Sequence, residues 1–206
     1  MEAFTRLEAR GVPLLVDDID TDMIFPAQYA KTIETSGLGK YLFARERRPG
    51  SGPDVAGFPL DRPEHAGAEI LLTGRNFGCG SSREHAVWAL RDFGFRCIIA
   101  ESFSDIFYAN CFRNGVLPVA LPRDVVGALS SRAETEPDTV VTVDLREQTV
   151  EAPNFGSFRF SVEPHRKRML LEGLDEVGLT LKEVSEIEAY ETRRFAAEPW
   201  LVRTHD

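Results

Sequence analysis

The chain has 206 residues, of which 43% are hydrophobic and 28% are charged, and its formal net charge at pH 7 is -9. This composition is typical of a globular protein with a sizeable core. The acidic balance argues against a nucleic-acid-binding surface, which requires a basic face, but it leaves room for a local basic pocket that binds an acidic substrate. The N-terminal residues lack the apolar core of a signal peptide, and no run approaches the roughly 18 apolar residues of a membrane span. We therefore predict a cytoplasmic location and no membrane or nucleic-acid partner.

Apolar runs alternate with turn-forming residues along the first half of the chain. A strand at 12–16 and an acidic turn at 17–22 precede a short helix within 37–48 and a loop rich in proline and glycine at 49–63. Strands and helices then alternate, with predicted strands at 69–73, 96–100 and 116–121 and predicted helices at 82–93 and 105–113. This order predicts parallel strands joined by helical crossovers.

The second half of the chain predicts a different strand arrangement. A helix at 123–132 and a strand at 139–143 precede an antiparallel β-pair, and the remaining predicted segments are strands 148–152 and 157–162 and helices 166–172 and 181–194. The fold class is therefore α/β, a single domain over residues 1–206 with a mixed parallel and antiparallel sheet flanked by helices. Its C-terminal helices are expected at about 164–197.

The three cysteines do not form a recognisable ligand or disulfide pattern. Cys97 and Cys111 lie in apolar strand and helix patterns and are predicted to pack in the core, whereas Cys79 falls in a glycine-rich turn. Their gaps match neither a zinc ribbon nor an iron–sulfur ligand set. The acidic turn is also no calcium loop, because the sixth residue from Asp17 is Asp22 where an EF-hand needs glycine.

The turn between the strand at 69–73 and the following helix is the most informative segment. Its sequence at 74–85, GRNFGCGSSREH, places three glycines before two serines and an arginine at a predicted helix start. Glycines permit close approach of a ligand, and a helix N-terminus favours an anion. Alternatively, Ser81 and Glu84 form a capping box, and Arg83 and His85 are ordinary surface residues. The spacing excludes a P-loop, a dinucleotide fingerprint and a nucleophile elbow.

Four separated motifs resemble one protein family. Residues 76–86 (NFGCGSSREHA) resemble the active-site turn of the swivelling domain in the aconitase superfamily, and residues 20–26 (DTDMIFP) and 100–118 (AESFSDIFYANCFRNGVLP) resemble its neighbouring motifs. Residues 171–181 (LEGLDEVGLTL) are similar to one branch, the small subunits of isopropylmalate isomerase (3-isopropylmalate dehydratase). The resemblance extends over about residues 1–195 and implies the fold of a swivelling domain.

The family interconverts 2-isopropylmalate and 3-isopropylmalate through an alkene in leucine biosynthesis. The resemblance implies that Ser81 is the catalytic base and that Arg83 holds a substrate carboxylate, with Ser82 adding a contact. By position, Asp22 lines the active site and Asp20 supports the turn, while Leu38 meets the isopropyl group. Relatives that accept a carboxylated side chain would have a cation at this position, so nearby cations complicate the assignment of Leu38. These cations, which could instead form a solvated helix face, are Lys40, Arg45, Arg47 and Arg48.

The resemblance also implies that half of the active site belongs to another chain. The family uses a 4Fe–4S cluster held by three cysteines, two of them in a Cys-x-x-Cys pair that this sequence lacks. The cluster is therefore expected on a large-subunit partner, no metal is expected on this chain, and the chain alone should be inactive. The apolar positions Leu170, Leu171, Leu174 and Leu181 either contact that partner or pack in the core.

Three other functions remain open from the sequence. The first is a related hydratase acting on homoaconitate, citramalate or dimethylmalate. The second is a non-catalytic binding or regulatory module that has kept the fold. The third is a stand-alone enzyme that uses Cys79 as its nucleophile.

Overall fold

The computed structural model describes residues 1–31, 34–47, 57–81 and 83–201. The sheet within these residues has seven strands in the order β4-β3-β2-β1-β5-β6-β7. The strands are β1 (Arg6–Leu14), β2 (Ile70–Thr73), β3 (Cys97–Ala100), β4 (Leu117–Ala120), β5 (Val140–Asp144), β6 (Thr149–Ala152) and β7 (Gly156–Arg159). Strands β1 to β4 pair in parallel, and β1 with β5, β5 with β6 and β6 with β7 pair antiparallel. The predicted α/β class with a mixed sheet is confirmed.

The burial of each strand explains how well its position is predicted from the sequence. The short apolar runs of β2 and β3 are buried on both faces, as is usual for parallel strands covered by helices. Strand β1 is longer than predicted and ends earlier. Its first residues alternate between charged and apolar side chains because they pair with β5, where one face of the sheet is partly exposed.

The helices of the described residues are α1 (Thr21–Ile24), α2 (Glu84–Phe93), α3 (Asp105–Arg113), α4 (Arg123–Thr135), α5 (Pro164–Glu172), α6 (Glu176–Thr180) and α7 (Val184–Ala197). Helices α2 and α3 cover one face of the sheet and α4 covers the other, whereas α6 and α7 have no buried residue. The sequence did not predict α6, a single turn capped by the Asp175 carboxylate, which accepts the Gly178 N–H at 2.7 Å. No helix in the described ranges has both the length and the apolar character that a bilayer crossing requires.

Alternate residues of the central strands feed two separate cores. Leu71 and Ile98 pack with α2 and α3 on one face, whereas their neighbours Leu72 and Ile99 pack with α4 on the other. Leu170 is fully buried in the second core, while Leu181 is 61% exposed. The turn between β2 and α2 therefore begins at a strand that is packed on both faces.

Candidate active site

The segment at 74–81, which ends in Ser81 and is called the serine turn below, leads from the carboxyl end of β2 towards α2. Main-chain hydrogen bonds fix it to its neighbours on both sides: the Gly78 N–H donates to the Ile19 carbonyl at 2.8 Å, and the Phe77 N–H donates to the Ser102 carbonyl at 3.0 Å. The turn is thus held between the segment that follows β1 and the segment that follows β3. The carboxyl ends of parallel strands are a common place for ligand sites in α/β sheets.

Glycine is required at two positions of this turn. Gly78 has a φ of +75°, and a Cβ there would lie 2.1 Å from Cγ of Phe107. Gly80 has a φ of +83°, in the left-handed region that favours glycine. Gly78 lets the chain pass close to α3, and Gly80 lets it turn beside Asp20 just before Ser81, which is exposed.

The first turn of α1 contacts the serine turn directly. Asp20 forms an isolated parallel bridge with Cys79. Next to it, the Thr21 N–H donates to the Cys79 carbonyl at 2.9 Å, and the Thr21 hydroxyl donates to the Ser81 carbonyl at 2.6 Å. Residues from two distant parts of the sequence therefore form one structural unit.

Arg83 is held by a carboxylate that a second arginine shares. Arg83 Nη1 donates to Asp22 Oδ1 at 2.5 Å, and Arg45 Nη1 donates to Asp22 Oδ2 at 2.5 Å. The Arg83 hydrogen bond, followed by that from the Ala27 N–H, lowers the pKa of Asp22 to about 2. Asp22 is therefore ionised at neutral pH and pairs with two guanidinium groups at once.

A cavity of about 230 Å³ opens beside this cluster. Its described lining comprises Thr21, Gly78, Gly80, Ser81, Arg83, Ser104, Asp105, Ile106, Phe107 and Asn110. The N-terminus of α3 forms part of the wall, and its free N–H groups and helix dipole favour an anion. Ser104 occupies the N-cap position of α3, but its hydroxyl donates to the Gly78 carbonyl at 2.5 Å instead of capping the helix.

The structure corrects the predicted start of α2. This helix begins at Glu84 with Arg83 as its N-cap, so Ser81 lies before the helix and not on its first turn. The capping box is wrong, because no side chain caps the helix and the Glu84 carboxylate instead accepts the Asn114 side-chain N–H at 2.9 Å. The helix terminus that lines the cavity with Ser81 is that of α3.

The other predicted site residues fall in different places. Asp22 contacts Arg83, as described, whereas Leu38 is 3% exposed, packs in the core on the α2 face and is not part of the described cavity lining. Ser82 lies outside the described residues. The roles assigned to these side chains remain predictions.

The cysteines of this chain are poorly suited to hold a cluster. Cys97 and Cys111 are fully buried in the two cores, and burial raises the pKa of each thiol. Cys79 is partly exposed, but burial and the nearby Asp20 carboxylate raise its pKa too, which disfavours a nucleophilic thiolate. No group of three or more potential metal ligands occurs in the described ranges.

Sequence reasoning missed three contributors to the site. Thr21 and Ile106, which is 55% exposed, lie within the motifs at 20–26 and 100–118 without an implied role, and the pattern around Arg45 is typical of a solvated helix face. A detectable feature of Ile106 is its place in the first turn of a predicted helix, two residues after Ser104. No sequence feature could have shown that Arg45 reaches Asp22.

Comparisons with known proteins agree with this fold. Residues 1–124 match the family model described as the aconitase C-terminal domain, and residues 176–204 match the model for the C-terminal domain of the 3-isopropylmalate dehydratase small subunit. The match over residues 1–124 defines an aconitase-type domain.

Individual relatives show to which branch of this class the chain belongs. Proteins named 3-isopropylmalate dehydratase small subunit from Phenylobacterium zucineum and Dinoroseobacter shibae are 52% and 50% identical, each over 98% of this chain and over 98% and 100% of the relative. A crystal structure of 3-isopropylmalate dehydratase from Methanocaldococcus jannaschii is 28% identical with a TM-score of 0.64, covering 90% of this chain and 99% of that one. The chain belongs to the family of 3-isopropylmalate dehydratase small subunits, and the predicted resemblance is confirmed.

Proposed function

We propose that this chain is the small subunit of an isopropylmalate isomerase, which interconverts 2-isopropylmalate and 3-isopropylmalate by dehydration and rehydration in leucine biosynthesis. One observation carries the proposal: Ser81 and Arg83 line the same cavity, and Asp22 fixes Arg83. The names of the relatives, at about half identity over nearly the whole chain, support the choice of substrate.

Ser81 is proposed as the base. As an alkoxide it takes a proton from the carbon next to a carboxylate, the neighbouring carbon loses its hydroxyl, and the alkene forms between the two carbons. Rehydration in the opposite sense gives the other isomer. The Arg83 guanidinium and the N-terminus of α3, which line the same cavity, favour the serine anion.

Arg83 is proposed to bind a substrate carboxylate. Arginine matches a carboxylate with two parallel N–H donors, which lysine cannot do. The ion pair with Asp22 holds the guanidinium in place before the substrate arrives, so less side-chain freedom is lost on binding. Ser82 would add a contact to the same carboxylate. The N-terminus of α3 offers a second anion-favouring wall, as a dicarboxylate needs.

The aliphatic branch of the substrate has two candidate contacts. Leu38 is assigned this role by the family resemblance, and it would need to leave the core to reach the cavity. Ile106 already lines the cavity and is more than half exposed.

The remaining chemistry is assigned to a partner. A 4Fe–4S cluster on a large subunit would supply the Lewis acid that removes the hydroxyl, because the cysteines of this chain do not form a suitable donor set. We propose that residues 1–206 act as one swivelling domain against that subunit in the cytoplasm.

Turnover by the reconstituted complex tests this function. The complex with a cluster-loaded large subunit is expected to dehydrate 3-isopropylmalate at least about tenfold more efficiently, by kcat/KM, than homoaconitate, citramalate or dimethylmalate. The isolated chain should turn over none of them. Equal or better use of homoaconitate would contradict the substrate, and turnover by the isolated chain would contradict the two-subunit site.

A further inference from the structure

Thr21 is a polar side chain buried beside the serine turn. It is 2% exposed, and it lies next to Ile24 and Phe25, both fully buried, so it enters the core from the first turn of α1. Valine has nearly the same shape as threonine and would avoid burying a hydroxyl. The hydroxyl at this position is therefore expected to form a specific hydrogen bond.

Both donors of Thr21 are used on the serine turn. Its N–H binds the carbonyl of Cys79, and its hydroxyl binds the carbonyl of Ser81 at 2.6 Å, a short distance for a hydrogen bond between a hydroxyl and a carbonyl. The two acceptors are two residues apart, with Gly80 between them in the left-handed region. One residue thus fixes the main chain on both sides of the glycine that precedes Ser81.

The segment that carries Thr21 is itself held in place. The Asp20 carboxylate caps α1 by accepting the Met23 N–H at 2.7 Å, and the Phe25 N–H donates to the Thr21 carbonyl at 3.0 Å. The next residue, Asp22, binds Arg83. Consecutive residues of α1 therefore set the positions of both Ser81 and Arg83.

We propose that Thr21 is a positioning residue that aligns Ser81 through its main-chain carbonyl. This inference rests on the proposed function of Ser81 as the base. A small displacement of a reacting group can lower the rate by about 100-fold, because the reaction depends on a near-attack geometry. The hydroxyl of Thr21 should therefore affect the chemical step more than substrate binding.

Thr21→Val, Thr21→Ser and Ser81→Ala are to be compared in the reconstituted complex. Thr21→Val should lower kcat about 10- to 100-fold with KM changed less than about threefold, and Thr21→Ser should restore kcat to within about threefold of the native value. Thr73→Val is the control for loss of a buried threonine hydroxyl, since Thr73 is fully buried, its hydroxyl lies 3.5 Å from the Val16 carbonyl and it does not line the cavity. It should retain native kcat.

A spectroscopic measurement on the isolated chain reports on the hydrogen bond without any activity. The sequence contains two Ser-Ser pairs, Ser81-Ser82 and Ser130-Ser131, so labelling serine with ¹³C at the carbonyl and ¹⁵N gives one NMR correlation for each pair. Thr21→Val should shift the carbonyl resonance of Ser81 and leave that of Ser130 unchanged, and Thr21→Ser should keep both near their native positions.

Each outcome separates this inference from the proposed function. If Ser81→Ala abolishes turnover but Thr21→Val retains native kcat, or if Thr21→Val and Thr21→Ser lower kcat equally, the role of Thr21 is overturned alone. If Ser81→Ala is fully active, the proposed base is wrong. If Thr21→Val does not assemble with its partner, an unshifted Ser81 carbonyl resonance overturns the proposal and a shifted one supports it.

Discussion

At the scale of single residues, Asp22 determines how the site holds charge. Its carboxylate lies between Arg83 and Arg45, and its pKa of about 2 keeps it ionised at any pH near neutrality. The sequence placed Asp22 near the site by resemblance, but the bond to Arg83 joins positions 61 residues apart and required the structure.

Arg83→Lys should weaken substrate binding. A lysine keeps the positive charge but loses the bidentate geometry, so KM for 3-isopropylmalate is expected to rise about tenfold or more. Steady-state kinetics of the reconstituted complex measures this effect. Arg75→Lys is the control, because Arg75 pairs with Asp17 and Asp18 on the neighbouring loop and is not part of the described cavity lining. Equal rises in KM for both variants would contradict the assigned role.

His65 gives the fold a pH dependence. It is 3% exposed, neither ring nitrogen has a hydrogen-bond partner among the described residues, and burial lowers its pKa below the usual 6.5. The unfolded chain therefore binds a proton more readily than the folded chain. The stability contribution of neutral His65 is complete above a pH of about 6.5 and is lost as pH falls below it.

Thermal or denaturant unfolding of the isolated chain between about pH 5 and 8 tests this dependence. The free energy of unfolding should fall with decreasing pH below about 6.5, by at most about 1.4 kcal/mol per unit for one proton. His65→Leu should flatten that slope. A variant with the native slope would show that another group is responsible.

At the scale of elements, three segments that are distant from the serine turn in sequence hold it in place. They are α1, the segment that follows β3, and the start of α3. The sequence predicts β2 and β3 because both faces of each strand are buried, which makes each strand a continuous apolar run. It does not predict the start of α2, because Ser81 and Glu84 fit a capping box by spacing, whereas Glu84 binds Asn114 in the fold. Local propensity cannot include such a tertiary contact.

The two candidate contacts of the isopropyl group, Ile106 and Leu38, can be distinguished by substrate preference. If Ile106 contacts the isopropyl group, Ile106→Ala should lower kcat/KM for 3-isopropylmalate about tenfold and affect a methyl-substituted analogue much less. Leu38→Met, which conserves volume in the core, should then leave the ratio of the two substrates unchanged. A changed ratio in Leu38→Met with a native ratio in Ile106→Ala would favour the assignment by resemblance.

At the scale of the whole molecule, the sequence predicted the class of the fold better than its boundaries. The order of strands and helices is sufficient for a mixed sheet, whereas α6 was missed because Gly178 within it and Gly173 before it favour a loop. The proposed base and the proposed substrate-binding arginine line one cavity on this chain, and the metal chemistry is proposed for a second subunit.

Turnover of the Ser81→Ala complex tests the central claim most directly. Alanine removes the proposed base, so the reconstituted complex should bind 3-isopropylmalate with an affinity within about threefold of native and lose at least about 1,000-fold in kcat. A Ser81→Ala complex that keeps most of its native kcat would contradict the claim that this residue removes the proton.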